Sequence, residues 1–197
     1  MTDTPDAIRA AVEDRFARVA RSPQQERKFP VGPASARKLG YGPEEIDALP
    51  ASVTESFCGV GNPLGLGELL PGQAVLDLGS GAGLDSLLAA RRVGPTGKVV
   101  GVDLCQDMVE KARRNAALLG LHNVEFVNAG AERLPPPDES VDVIISNGVF
   151  NLFPGKPAVL AEAFRVLRPG GRLQMADILL HEDVTPEEVV RLGEWSD

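Results

Sequence analysis

The sequence predicts an open α/β fold, a doubly wound parallel sheet of the Rossmann-like kind, and three observations carry that expectation. From residue 73 onward, short apolar runs of strand type alternate with helix-period segments of about ten to fifteen residues, the pattern of βαβ units. The first run, Val75-Leu-Asp-Leu78, breaks into the glycine turn Gly79-Ser-Gly-Ala-Gly83 and restarts as an apolar-periodic helix. The second run, Lys98-Val-Val-Gly-Val-Asp103, ends in an acid. An acid closing an otherwise apolar strand needs a partner, and in such sheets the crevice beyond the strand ends supplies one.

The elements follow in order. Strand 74–78 leads to helix 83–93, strand 98–103, helix 106–119 and strand 124–128. Then come strand 141–146, helix 156–167 and strand 172–180. Pro135-Pro-Pro137 marks a loop where a helix between the third and fourth strands would stand. Ahead of the sheet, residues 6–21 carry Ile8, Val12, Phe16 and Val19 at helical spacing with charges between them, an amphipathic helix. Residues 22–42 are polar and Gly/Pro-punctuated, with Arg27, Lys28, Arg37 and Lys38, and read as an irregular arm. A short helix is expected over 43–49, with Pro at its first turn, then a glycine-rich loop over 56–67 and a short helix near 66–70. Residues 1–72 therefore form an N-terminal helical arm and lid, and 73–197 a single ligand-binding domain.

Composition narrows the function. Twenty-eight acids against twenty bases give a net charge of -8, which argues against a nucleic acid or an anionic membrane as partner and for a small-molecule ligand. The apolar runs are too short to span a bilayer, and the Asp/Arg-rich start is not a signal peptide, so a cytoplasmic protein is expected. Cys58 and Cys105 make neither a disulfide framework nor a zinc site.

The glycine turn is G-x-G-x-G, not the G-x-G-x-x-G of dinucleotide folds, and Asp77 and Asp85 bracket it. A carboxylate within a few Å of a pyrophosphate would repel it by roughly one to several kcal/mol. The loop therefore calls for a cation. S-adenosyl-L-methionine supplies a sulfonium and an ammonium, and its ribose diol offers two hydroxyls to Asp103. Residues following the strands are the candidates for contact: 79–83, 104–108, 129–132, 147–153 and 177–183. His122, ahead of the third strand, falls on the opposite rim. His181 is the histidine on the ligand rim.

Gly79-Ser-Gly-Ala-Gly83, Gly101-Val-Asp103, Glu132-Arg-Leu-Pro135, Val141-Asp-Val-Ile-Ile-Ser-Asn147 and Arg165-Val-Leu-Arg-Pro-Gly-Gly171, taken in order, resemble a class I S-adenosylmethionine-dependent methyltransferase. Within that superfamily the chain is similar to the arsenite methyltransferases and their relatives through Gly40-Tyr-Gly42, Gly61-Asn-Pro63, Val93-Gly-Pro-Thr-Gly97 and Asn151-Leu152. The resemblance implies that Asp77, Gly79, Ser80, Gly81 and Gly83 line the methionine moiety and that Asp103 accepts from the ribose. It implies that Leu104 and Met108 flank the adenine, with Ala131 and Glu132 at its edge and Asn147 near the methionine end. Read on their own, Gly83 serves close helix–strand packing and Asp85 places a favourable charge at a helix N-terminus.

The departures from that family are informative. Anchored on Gly61-Asn-Pro63, the resemblance places Val60 and Gly148 where arsenite methyltransferases carry arsenic-binding cysteines, and a third would lie beyond Asp197. Trivalent arsenic needs thiolate ligands. Gly130 stands where many relatives carry an acid near the adenine amino group. The catalytic residue is unknown, because methyl transfer from a sulfonium asks mainly for alignment and exclusion of water. The expected function is methyl transfer to a small-molecule acceptor. Arsenite methylation is the first alternative, and a cofactor-binding module without turnover that needs a partner chain is the second.

The resemblance also implies a seven-stranded sheet of order 3-2-1-4-5-7-6. Strand 172–180 would be its fifth strand, followed by a helix start at Thr185-Pro-Glu-Glu188 and too few residues for two more strands. An uncovered edge there would favour self-association or a partner chain.

Overall fold

A computed structural model describes residues 4–179. Five strands, β1 (Ala74–Leu78), β2 (Lys98–Asp103), β3 (Val124–Asn128), β4 (Val141–Asn147) and β5 (Leu167–Ala176), form one parallel sheet of order β3-β2-β1-β4-β5. Among the described residues seven α-helices accompany them: α1 (Pro5–Arg21), α2 (Pro33–Lys38), α3 (Pro43–Asp47), α4 (Ala51–Thr54), α5 (Leu84–Val93), α6 (Gln106–Leu118) and α7 (Lys156–Val166).

Side-chain alternation along the strands explains the two layers. In β1, Val75 joins a core with α5, α6 and the segments ahead of the sheet, while Leu76 and Leu78 join the α7 core on the other face. Both faces are covered, so these strands read as continuous apolar runs instead of alternating ones. Asp77 has the parity of Val75 and therefore points toward α5. Between β1 and β4 the chain reverses its winding direction, and a crevice opens at the carboxyl ends of these strands.

The segments ahead of the sheet are more ordered than their sequence suggests. The short helix α2 lies where irregular chain is expected, α4 lies between the expected helix and the glycine-rich loop, and Ala36, Val53 and Phe57 from this region are buried in the α5 core. No helix forms over 66–70; a 3-10 turn at Pro63–Gly65 precedes β1 instead. Helix α1 opens with Pro5 at its first turn and Thr4 Oγ1 accepting from Ala7 N at 3.3 Å. It docks on α6 through Ala17, Val19 and Ala20 against Cys105 and Met108. Lys111 of α6 is buried there, its ammonium satisfied by Ala20 O (3.0 Å), Ser56 Oγ (2.8 Å) and Glu55 Oε1 (2.6 Å). Arg21 adds a forked pair to Asp107 at 3.0 and 2.6 Å.

The Pro135-Pro-Pro137 loop is held by α7. Arg165 donates to Leu134 O (3.0 Å) and Pro136 O (3.2 Å), while Glu162 accepts from Leu134 N at 2.8 Å. The fifth strand differs from the expected 172–180. It begins at Leu167, which pairs with Val141, passes an irregularity, and resumes at Arg172 opposite Val143 to end at Ala176. Pro169, Gly170 and Gly171 sit in the irregular stretch, which is why the sequence reads as a turn. Among the described residues β5 pairs only with β4, and Met175, Ile178 and Leu179 are exposed. Leu180, His181 and the helix start at 185–188 lie outside the described residues. No described helix is long and apolar enough to cross a membrane.

Candidate functional site

The glycine turn after β1 is tied to β2 by Gly79 N and Ser80 N, which donate to Val102 O at 2.8 and 3.0 Å. Asp103 completes the clamp. Its Oδ2 accepts from Gly81 N at 2.8 Å and its Oδ1 from Cys105 N at 2.9 Å, so one carboxylate sets both the first and the second strand-end loop. Burial pushes the Asp103 carboxyl above its usual range, against the two backbone donors. Each carboxylate oxygen can still accept again, so the clamp leaves room for a ligand's hydroxyls.

These loops form one wall of an open cleft at the carboxyl ends of the strands. Gly79, Gly81, Asp103, Leu104, Ala131, Glu132 and Asn147 line it, seven of the residues expected from the sequence. Asp77, Ser80, Gly83 and Met108 do not. Asp77 is buried behind the turn and accepts from Ser86 Oγ at 2.5 Å. Ser80 is buried, and its Cβ would stand 2.9 Å from a Cβ on Gly101. A Cβ on Gly83 would press on Phe126 at 3.0 Å, which is the close packing expected of it. Met108 lies in the α1–α6 contact. These four shape the cleft wall from behind.

The opposite wall comes from α1, whose Arg9, Val12, Glu13 and Phe16 line the cleft. Arg9 Nη2 pairs with Glu132 Oε1 at 2.7 Å and so bridges α1 to the loop after β3. Burial works against the charge of Glu132, yet the Arg9 hydrogen bond holds its carboxyl below the usual range. Sequence reasoning found the apolar stripe of α1 but not its place over the cleft. Val12 and Phe16, one turn apart, were the available signal.

A second feature was not legible at all. Asn147, at the end of β4, accepts from Val60 N (2.9 Å) and Gly61 N (3.1 Å) through Oδ1, which fixes its amide orientation. Its Nδ2, with two hydrogens, then faces three acceptors and shares them among Tyr41 Oη (3.0 Å), Gly61 O (2.9 Å) and Asp85 Oδ2 (3.1 Å). Because Tyr41 Oη accepts from Asn147, its own hydrogen goes to Asp85 Oδ1, 2.5 Å away. Tyr41 packs edge-on against Phe57, with ring centroids 5.3 Å apart. Burial, then the neighbouring Asp85, pushes the phenol far above its ordinary value, so Tyr41 is a fixed donor and not a base. Burial, followed by the charge of Asp85, raises the Asp77 carboxyl well above its range. Burial also raises Asp85 despite its hydrogen bonds to Tyr41 and Asn147.

Comparison with known proteins shows the family. Residues 69–194 match a family described as a methyltransferase domain. An arsenite methyltransferase of Halobacterium salinarum is 45% identical over 146 residues, 74% of this chain and 37% of that protein. A demethylmenaquinone methyltransferase of Listeria monocytogenes is 40% identical over 107 residues, 54% of this chain and 45% of that protein. Among solved structures, an arsenic(III) S-adenosylmethionine methyltransferase from Chlamydomonas reinhardtii superposes with a TM-score of 0.57 at 37% identity, covering 75% of this chain and 50% of that one. The chain thus spans half or less of the length of these relatives.

Proposed function

Because this chain belongs to the methyltransferase domain family, we propose that it binds S-adenosyl-L-methionine in the cleft and passes the methyl group to a small-molecule acceptor. One observation carries the reading: acids surround the glycine turn. Asp77 and Asp85 lie behind it and Asp103 beside it, while Arg9, the single Lys or Arg side chain lining the cleft among the described residues, is already paired with Glu132. Such a wall disfavours a pyrophosphate and favours a cationic ligand.

Roles follow from position. Asp103 receives the ribose diol while holding Gly81 in place. Gly79 and Gly81 allow close approach of the methionine portion, and Asn147 stands at its end. Leu104, Ala131 and Glu132 take the adenine, with Val12 and Phe16 of α1 closing over it and excluding water. The bound cofactor supplies an electrophilic methyl on a sulfonium. The chain's part is therefore alignment and dryness, with no side chain assigned as a base.

A second reading, arsenite as the acceptor, is favoured by the Halobacterium and Chlamydomonas relatives. Against it stand Val60 and Gly148. Cys58 lines the cleft, but burial, followed by the charge of Asp103, pushes its thiol up to about 12, so it offers no thiolate. The demethylmenaquinone methyltransferase shows that similar chains carry names with quite different acceptors.

Single-turnover incubation with methyl-labelled cofactor and a small-molecule extract tests the proposal. Label moving into a small product, with matching S-adenosylhomocysteine, is the expected result. Saturable cofactor binding without transfer would replace the enzyme by a binding module, and no cofactor binding would overturn the reading altogether.

A further inference from the structure

We propose that the methyl acceptor is an uncharged, largely apolar molecule whose attacking atom is a nitrogen or sulfur with a free lone pair and no hydrogen, as in a heteroaromatic ring nitrogen or a thioether. The product leaves as an onium cation. This rests on the methyltransferase reading above and narrows its acceptor to one chemical class.

Beyond the residues assigned to the cofactor, the cleft is lined by Cys58 and by the loop after β4, which contributes Val149, Leu152, Phe153 and Pro154. That loop is firmly built. Gly148 N donates to Ala176 O at 2.8 Å, and Asp177 accepts from Phe150 N at 2.7 Å and from Asn151 N at 3.2 Å. Phe150 then braces Phe153 edge-on, with ring centroids 5.4 Å apart. Among the described residues that line the cleft, none is His, Lys, Ser, Thr or Tyr. The amide of Asn147 is engaged by Val60, Gly61, Tyr41 and Asp85. A polar acceptor would give up water here and find few partners in return.

Charge excludes an anionic acceptor. Glu13, Asp103 and Glu132 line the cleft, and Arg9, the cation among these residues, is paired with Glu132. The two cysteines of the cleft gauge the effect: burial, followed by the charge of Asp103, pushes the Cys58 thiol up to about 12, and burial pushes Cys105 up to about 11. A thiolate, phenolate or carboxylate acceptor meets the same burial and the same acids. Neutral hydroxyls, thiols and protonated alkylamines must first lose a proton, and the carboxylates present are weak bases for that task. Asp103 is also committed to Gly81 N and Cys105 N. An attacking atom without hydrogen needs no relay. Its lone pair forms the bond to the methyl carbon, the carbon–sulfur bond breaks, and that electron pair stays on the cofactor's sulfur. No proton moves, and the positive charge passes from the sulfonium to the product. The acids of the cleft thus face a cation before and after transfer, and the Phe16 and Phe153 rings that line it suit a flat one.

Three bicyclic probes of nearly one shape read the cleft without turnover: isoquinoline, uncharged at mildly alkaline pH, the cation N-methylisoquinolinium, and the anion naphthoate. Equilibrium dialysis against the protein saturated with S-adenosylhomocysteine should show isoquinoline and its methyl cation bound. Naphthoate should bind more weakly by about tenfold or more. Phe153→Leu should weaken the cation several-fold relative to isoquinoline and leave S-adenosylhomocysteine binding unchanged. In the labelled transfer described above, the product, freed of unused cofactor, should migrate as a cation even at strongly alkaline pH. Mass spectrometry of that cation tells a ring nitrogen from a thioether.

The unmodified protein alone decides the matter, whatever the variant does to folding. A neutral or anionic labelled product would overturn this inference and leave the methyltransferase reading standing. Isoquinoline left unbound, or naphthoate bound as tightly as isoquinoline, would overturn it too. Failure of S-adenosylhomocysteine itself to bind would overturn both.

Discussion

Val60 lies against Gly148: a Cβ placed on the glycine would stand 3.1 Å from Val60 Cγ1 and 3.3 Å from Cγ2. The two positions at which resemblance to arsenite methyltransferases places cysteines are therefore neighbours in space, and neither carries sulfur.

From this pair we expect no arsenic methylation by the chain. A valine and a glycine cannot supply soft ligands to a trivalent metalloid, and the protonated Cys58 does not replace them. Methylated arsenicals above a no-enzyme control, with cofactor and thiol present, would contradict this.

The strands and the glycine turn were legible because their signals are local. β1 and β4 are buried on both faces and bounded by Gly or Pro turns, and Asp103 stands out in the sequence as the acid that closes an apolar strand. The Tyr41–Asp85–Asn147 network was not legible, since its members lie 44, 62 and 106 residues apart and meet only through the fold. Helices α2 and α4, six and four residues long, are too short to show a helical period and are set by packing of Ala36 and Val53 on the core. The start of β5 was hidden by Pro169, Gly170 and Gly171, residues that normally end a strand.

Gly81 has φ of +52°, a left-handed conformation, and a Cβ there would meet no protein atom within 4 Å. The added side chain would point into open space beside the cleft, and a β-branched residue is strained at that φ. Gly81→Val should abolish cofactor binding in a protein that remains folded by circular dichroism. Unchanged affinity would mean that the turn does not contact the ligand.

The Arg9–Glu132 pair is partly exposed, at 42% and 27% for the side chains, and such pairs are worth only about 0–1 kcal/mol to folding. Arg9→Ala should leave the melting temperature nearly unchanged. It should instead speed cofactor dissociation several-fold, because the pair ties α1 across the cleft. Displacement kinetics with a fluorescent cofactor analogue would show this, and an unchanged rate would remove α1 from the exit path.

The buried acids make a prediction about the empty protein. Both carboxyls titrate above the ordinary range in the folded state, so the folded chain holds protons that the unfolded chain has shed. Their contribution to stability is complete below about pH 4, the ordinary carboxylate value, and is lost as pH rises through the raised folded values. Glu162, which Arg165 holds down to about 2, has the opposite sign. Its contribution is complete above the ordinary carboxylate range and is lost as pH falls toward 2. Thermal melts above about pH 4.5 should therefore show a downward slope that Asp77→Asn flattens. Identical slopes for parent and variant would contradict this assignment.

The most direct test of the cleft as a cofactor site is the affinity of S-adenosylmethionine for the parent chain and for Asp103→Ala, measured by calorimetry. The parent should bind one molecule saturably. The variant loses the ribose acceptor and also frees the Gly81 and Cys105 amides, so it should bind more weakly by about 1.5–3 kcal/mol, the scale of a charge-assisted hydrogen bond. Equal affinities for the two proteins would contradict the assignment of Asp103 and, with it, the placement of the cofactor in this cleft.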